Sequence, residues 1–331
     1  MKSFDHYWYS DNRLSLVLLP LALLFRVLAW LRRRAYRAGI LRSHRLPVPV
    51  IVVGNITVGG TGKSPLVIWL ANWLSEQGYR PGIVSRGYGG RSTEWPLPVD
   101  AESDPGQVGD EPVMIARRTG CPVWVGPDRP ASAVALLAEN QCDMVISDDG
   151  LQHYALARDI EIAVIDGKRG VGNGHALPAG PLREPLSRLR QVDLVIANGV
   201  SELAGWGMKL KVGDLVNLAD PARRISLHEL RGERVYGVAA IGNPERFFST
   251  LRAAGLSVSE RPFADHYPFR AEDLETGDGE AVIMTEKDAV KCARFARPNH
   301  WYLEVSAQPD NGFVQQLERK LGELRNGQET A

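Results

Sequence analysis

The run Gly54-Asn55-Ile56-Thr57-Val58-Gly59-Gly60-Thr61-Gly62-Lys63-Ser64 directly follows an apolar stretch and opens a helical pattern. Glycines at 59, 60 and 62 let a backbone curl so that its N–H groups point inward at a polyphosphate, and a helix amino terminus behind them adds a positive dipole end. Lys63 would reach the terminal phosphates and Ser64 would ligate Mg2+. Thr57, Gly59, Gly60, Thr61 and Gly62 complete the expected cradle for ATP. The usual glycine five positions before Gly62 is here Thr57, a departure for which the Gly59-Gly60 pair compensates. The second chemical signal is Met144-Val145-Ile146-Ser147-Asp148-Asp149, an apolar strand pattern ending in two carboxylates. Alone, such a pair more often makes a solvated turn or a helix cap than a metal site. Downstream of a phosphate loop, Asp148 becomes the candidate to hold Mg2+ together with Ser64, since that ion takes one or two carboxylates plus phosphate oxygens and water. Asp149 beside it is a candidate catalytic group.

Elements able to position these residues alternate along the chain. Short β-branched runs at 48–53, 82–85, 123–125, 144–147, 160–166 and 194–197 are separated by helical patterns at 65–77 and 131–140, the first stopped by Gly78. This is the pattern of βαβ units around a mainly parallel sheet. A second unit follows. Residues 235–240 read as a strand, Asn243 caps a helix that begins at Pro244 and ends at Gly255, and further strands are expected at 281–284 and 301–305 with a helix between them. The expected architecture is α/β: a P-loop NTPase-like, mainly parallel domain at 41–213, a smaller C-terminal α/β domain at 214–331, and an N-terminal membrane-associated helix within 1–40.

Composition narrows the classes of function. The 39 basic and 39 acidic side chains cancel, so no global field draws the chain onto nucleic acid. Cys121, Cys142 and Cys292 lie far apart with no CxxC pair, which argues against a disulfide framework or a zinc cluster. The stretch Leu14 to Leu31 is apolar apart from Ser15 and Arg26, and Arg32, Arg33, Arg34 and Arg37 follow it. A cleaved signal peptide would carry its charge on the other side. As a helix the stretch would reach roughly 27 Å, short of a ~30 Å hydrocarbon core, with Pro20 and Arg26 inside it. Those features favour a helix lying in the interface over one that spans it, although a buried core helix with a solvated basic end has the same composition.

The double-glycine loop is similar to those of partitioning and metallochaperone ATPases, but their signature lysine before the two glycines is here Val58. A nucleotide switch of that class is the main alternative function, and a membrane-peripheral scaffold with a vestigial loop is a third. A wider set of motifs resembles the tetraacyldisaccharide 4'-kinases, the lipid A 4'-kinases of Gram-negative bacteria. It comprises the loop from Gly54 to Pro65, Ser85-Arg86-Gly87-Tyr88-Gly89, Gly109-Asp110-Glu111-Pro112 and Asp148-Asp149-Gly150-Leu151-Gln152-His153, then Pro178 to Pro185, Asp265-His266-Tyr267 and Thr285-Glu286-Lys287-Asp288. In order, these are spread across residues 47 to 291. Leu151 and Ala264 stand where phenylalanine and proline are expected, and Ser64 where threonine is.

The resemblance implies transfer of the ATP γ-phosphoryl group to the 4'-hydroxyl of a tetraacylated disaccharide 1-phosphate, giving lipid IVA. It implies a monomer working at the cytoplasmic face of the bacterial inner membrane. It also implies that Asp110 and His266 form a carboxylate and histidine dyad that takes the hydroxyl proton. Without it, Asp110 reads as a helix N-cap and His266 as part of a turn. Arg86, Arg129 and Arg183 are candidates for phosphate or substrate anions, because a guanidinium fork suits phosphate geometry. Tyr88, Gln152 and Glu184, within the same motifs, are further substrate candidates. Lys287 and Asp288 either line the nucleotide site or cap a helix.

Overall fold

Strand β1, Val50–Gly54, is buried along its whole length. Its alternate residues feed two separate cores: Ile51 and Val53 on one face of the sheet, Val50 and Val52 on the other. A strand covered on both faces needs no polar alternation, so its sequence is continuously apolar. The structure, a computed structural model, describes residues 7–10, 12–277 and 279–329.

Around β1 the strands β2 (Pro81–Ser85), β3 (Leu97–Val99), β4 (Val123–Val125), β5 (Met144–Asp148), β6 (Ile160–Asp166) and β7 (Leu194–Asn198) form one half of the molecule. Helices α1 (Arg13–Arg37), α2 (Lys63–Glu76), α3 (Pro105–Val108), α4 (Asp110–Thr119) and α5 (Arg129–Glu139) belong to this half. β8 (Trp206–Asn217) and β9 (Arg224–Ile225) lead into β10 (Arg234–Ala239), α6 (Pro244–Ala253), β11 (Ser257–Pro262), β12 (Ala281–Thr285), α7 (Glu286–Cys292), β13 (His300–Pro309) and α8 (Asn311–Glu329).

The strand patterns at 123–125 and 160–166 match the observed strands, and the others shift by one to four residues at their ends. α2 ends as expected. Gly78 adopts a φ of +86°, and the Tyr79 N–H donates to the Leu74 carbonyl at 3.0 Å, the six-to-one bond of a Schellman cap. One finding lay outside the pattern. β8 runs through the expected boundary at 213/214, pairing with β7 in parallel and with β13 antiparallel. One sheet therefore crosses the whole molecule in the order β11-β10-β12-β13-β8-β7-β6-β1-β5-β2-β4-β3, with β9 beside β8. The last helix, α8, returns to the first half, where Phe313, Leu317 and Leu321 complete the core around Leu66 and Leu70.

The N-terminal helix is longer than its apolar stretch and runs through Pro20, with Asn12 as a side-chain cap on the Ser15 N–H. Leu18, Leu19, Ala22 and Phe25 pack on the body. Leu16, Val17, Leu21, Leu23, Leu24, Leu28 and Trp30 stay more than half exposed. Its basic end is tethered, Arg37 to the Gln191 side chain at 2.7 Å and Arg32 to the Gln152 carbonyl at 3.2 Å.

Candidate functional site

The phosphate loop leaves β1 at Gly54, where a side chain would strike Leu151 at 2.7 Å. Its outer wall is a second loop: the Val58 N–H donates to the Pro181 carbonyl at 2.8 Å and the Arg183 N–H to the Ile56 carbonyl at 2.7 Å. Thr57 is buried and bridges backbone to backbone with Leu182. At the inner end Gly62 takes a φ of +95° and α2 starts at Lys63. Asn198, at the end of β7, donates to the Thr61 carbonyl at 3.3 Å and accepts from Arg246 on α6 at 2.9 Å.

β5 delivers the acidic pair to the same place. Asp148 is buried, and its Oδ2 accepts from the Ser85 hydroxyl at 3.0 Å. Its Oδ1 is buried with no hydrogen-bond partner, as is the Thr61 hydroxyl. Burial, reinforced by the charges of Glu111 and Asp149, pushes the Asp148 carboxyl up to about 6. A buried carboxylate oxygen in this condition is costly unless a donor or a cation meets it. Among the described residues no group of three or more His, Cys, Asp or Glu side chains forms a metal cage. Asp149, in the left-handed region at φ +47°, turns its side chain to Arg183 at 2.8 Å and Lys63 at 3.7 Å. Burial raises this carboxyl, but Lys63 and Arg183 outweigh burial and hold it well below the usual range.

Arg129 is 1 % exposed. Its guanidinium donates to the carbonyls of Gly126 at 3.0 Å and Asp148 at 3.1 Å. Burial lowers it to about 10, with Asp148 and Asp149 opposing. Gln152 donates to the Asn55 carbonyl at 3.0 Å and to Glu184 at 2.9 Å. Glu184 also accepts from the Tyr154 hydroxyl at 2.8 Å and pairs with Arg188 at 3.1 Å. Arg86 and Tyr88 follow β2 and are exposed at its carboxyl end.

Across the cleft, His266 comes from a loop of the C-terminal half and Asp110 is the first residue of α4, with Gly109 in the cap position. They meet at 3.1 Å, His266 Nδ1 to Asp110 Oδ2, across 156 residues of sequence. His266 is held at φ +60°, and its ring lies 5.0 Å from that of Tyr88. Burial pulls the imidazole down, but the Asp110 hydrogen bond together with the charges of Asp110 and Asp265 raises it above its ordinary value. Burial pushes Asp110 the other way, and His266, Lys287 and Lys291 together lower it. Lys287 Nζ lies 3.3 Å from His266 Nε2, 3.1 Å from Glu111 and 3.2 Å from Asp265. Of the two readings of Lys287 and Asp288, the structure brings Lys287 to the site and buries Asp288 behind it.

All the expected site residues except Thr57 and Asp110 line one open cavity of about 1410 Å3. Its far rim is the N-terminal helix, from Leu23 through Arg33. Asn55, Asn198, Glu111 and Asp265 were not singled out by their spacing. Asn55, Glu111 and Asp265 lie inside the motifs quoted above without an assigned role, and for Asn198 the signal is its place at a strand end, followed by glycine. The cavity thus joins the glycine loop, a buried carboxylate oxygen without a hydrogen-bond partner, a carboxylate and imidazole pair, and an apolar helix.

A family model described as tetraacyldisaccharide-1-P 4'-kinase, LpxK, matches residues 14–322. The chain is 54% identical over 311 residues to a protein of Nitrosococcus oceani named tetraacyldisaccharide 4'-kinase, covering 94% of this chain and 92% of that one. A protein of the same name from Alkalilimnicola ehrlichii is 56% identical over 308 residues, with 93% and 92% covered. The crystal structure of LpxK from Aquifex aeolicus in complex with ATP superposes with a TM-score of 0.79 at 29% identity, covering 93% of this chain and 99% of that one.

Proposed function

Because the chain belongs to the tetraacyldisaccharide 4'-kinase family, we propose that the cavity is where Mg-ATP meets a lipid-linked disaccharide at the membrane surface. The enzyme is a kinase of lipid A biosynthesis. It transfers the γ-phosphoryl group of ATP to the 4'-hydroxyl of tetraacyldisaccharide 1-phosphate, forming lipid IVA. The observation that carries the site assignment is that one cavity holds both the phosphate loop and His266, with the apolar helix on its rim.

Residues 41–213 hold the nucleotide, and residues 214–331 contribute His266. The N–H groups from Gly59 to Ser64 cradle the phosphates, Lys63 neutralises charge on the transferring group, and Gly62 lets the backbone approach closely. Ser64 and Asp148 would hold magnesium, which would supply the remaining charge compensation for the phosphates. Asp149 keeps Lys63 and Arg183 aimed at the phosphates. The Asp110–His266 pair takes the proton of the 4'-hydroxyl, and such a pair titrates as a unit. Phosphoryl transfer needs little more than position and charge. Arg129 fixes the end of β5 through its two carbonyl contacts. Arg86, Tyr88, Gln152 and the Glu184 network form the acceptor side.

The acceptor's acyl chains keep it in the bilayer, and the exposed face of α1 suits a helix lying in the headgroup region of the cytoplasmic leaflet of the inner membrane. The arginines at its end add about 1 kcal/mol each toward anionic lipid. The protein works there as a monomer. The test is transfer of label from γ-labelled ATP, with Mg2+, to a bacterial lipid extract. Label is expected in a glycolipid and not with Lys63→Met, whose thermal midpoint stays at the wild-type value. Nucleotide hydrolysis without any labelled lipid, or undiminished transfer by Lys63→Met, would refute the assignment.

A further inference from the structure

Behind the Asp110–His266 pair lies a second buried ion system that the reaction described above does not use. Lys291, on α7, has a side chain 10 % exposed, and Asp288, one turn earlier, is fully buried. The Lys291 ammonium stands 2.7 Å from Asp288 Oδ1 and 3.7 Å from Asp110 Oδ2. The Asp288 contact lacks the alignment of a hydrogen bond, for both Lys291 Nζ and Asp288 Oδ1 are without one. The ammonium is thus shared between two carboxylates, and the ring of Phe269 lies 5.0 Å away on a further side.

Asp288 is itself fixed by other means. Its Oδ2 accepts the Ala240 N–H at 2.9 Å and the Thr285 hydroxyl at 2.6 Å, so it anchors β10 to the start of α7. Those two bonds would hold an aspartate or an asparagine alike. Burying a lone carboxylate and an ammonium costs several kcal/mol per ion, so a purely structural anchor would be cheaper without charge. The placement of Lys291 toward Asp110 supplies a reason for the charge.

We infer that Lys291, held by Asp288, is a positioning residue for the dyad: its buried ammonium keeps Asp110 ionised, so that the Asp110–His266 pair stays ready to accept the acceptor's proton. This rests on the kinase assignment of the preceding section. The charged groups acting on Asp110 are His266, Lys287 and Lys291. Those acting on His266 are Asp110, Lys287 and Asp265. Lys287 shares its charge with Glu111 and Asp265 on the cavity side, whereas Lys291 meets only Asp110 and Asp288 among its close ion pairs. On the same α4–α7 face Arg118 is engaged with Glu286 at 2.8 Å. Beside Lys291, burial pushes the Cys292 thiol far up, so it stays neutral.

The sign of the effect follows from Coulomb's law. A cation close to the pair disfavours its protonated form, and an anion favours it. Lys291→Met should therefore move the acid limb of the pH–kcat profile upward by about 1 pH unit or more. Asp288→Asn keeps the acceptor oxygen for Ala240 but removes the competing anion, and should move the same limb downward. Lys291→Arg should leave it in place. Opposite displacements from two neighbouring substitutions are not what structural damage produces, and KM for ATP should stay within about twofold in all three. Thermal midpoints are recorded alongside. Superimposable profiles, or limbs displaced in the same direction, would overturn the inference. If Lys291→Met does not fold, an unmoved limb in Asp288→Asn would do so by itself. Wild-type turnover in the same assay checks the kinase assignment separately.

Discussion

Asp110→Ala and His266→Ala should each lower transfer steeply, and the double variant should lose little more. The two groups touch at 3.1 Å, and Asp110 is only 4 % exposed, so the carboxylate has little solvent to replace the imidazole. A positioned base contributes about 10²–10⁴ in rate, or roughly 3–5 kcal/mol. Independent contributions would multiply to about 10⁴–10⁸ in the double variant, while a pair acting as one unit leaves it within about tenfold of the worse single variant. The coupling energy to be measured is therefore at least about 1.4 kcal/mol, and about 3 kcal/mol or more if the double variant loses nothing further. Single-turnover transfer from γ-labelled ATP, with all components saturating, isolates the chemical step. Multiplicative losses would refute the pair as a unit.

The same contact has a stability signature. His266 titrates above its unfolded value, so its contribution is complete below about 6.5 and disappears as pH rises through the folded value. Asp110 titrates below its unfolded value, so its contribution is complete above about 4 and fades as pH falls through the folded one. The stability difference between the wild type and His266→Ala should be largest between about pH 4 and 6.5 in chemical denaturation.

Two further outcomes follow from the loop and the helix. In Gly62→Ala the new Cβ would sit 2.8 Å from Asn198 Nδ2 and 3.0 Å from Met208 Cε at a φ of +95°. Because Asn198 is already bound to Thr61 and Arg246, titration calorimetry should show ATP affinity lowered at least about tenfold, by roughly 1.4 kcal/mol or more; unchanged affinity would mean the loop has room to adjust. Replacing Leu16, Leu24 and Trp30 with serine removes exposed apolar surface without touching the core, and should weaken co-sedimentation with anionic vesicles on the order of 100-fold at about 1 kcal/mol per site. Undiminished sedimentation would remove α1 from membrane binding.

What could be read from the sequence was local. β1, the glycine loop, the Gly78 cap and the acidic end of β5 each lie within a few residues, and nearest-neighbour sterics specify them. β8 escaped notice because Lys209, Lys211, Gly213 and Asp214 interrupt its apolar pattern, and its register with β13 depends on residues some ninety positions away. The helix α4 begins at Asp110, two residues before Pro112, because Gly109 at φ +94° makes the entry turn. In the site, family resemblance alone linked His266 to Asp110, since no spacing rule connects them. The contacts of Lys287, Lys291 and Asn198 could not be foreseen, because each depends on how the two halves of the sheet face one another.

The return of α8 to the first half bears on how the protein is made. Leu66, Leu70 and Leu74 of α2 share a core with Phe313, Leu317 and Leu321, and at ~5–20 residues per second the ribosome takes on the order of 10–50 s to supply the missing side of that core. Throughout that interval the apolar α1 has already emerged, while the core on the face of the sheet opposite to it is still open. An apolar helix made first and a core closed last leave the nascent chain with two uncovered apolar surfaces at the same time.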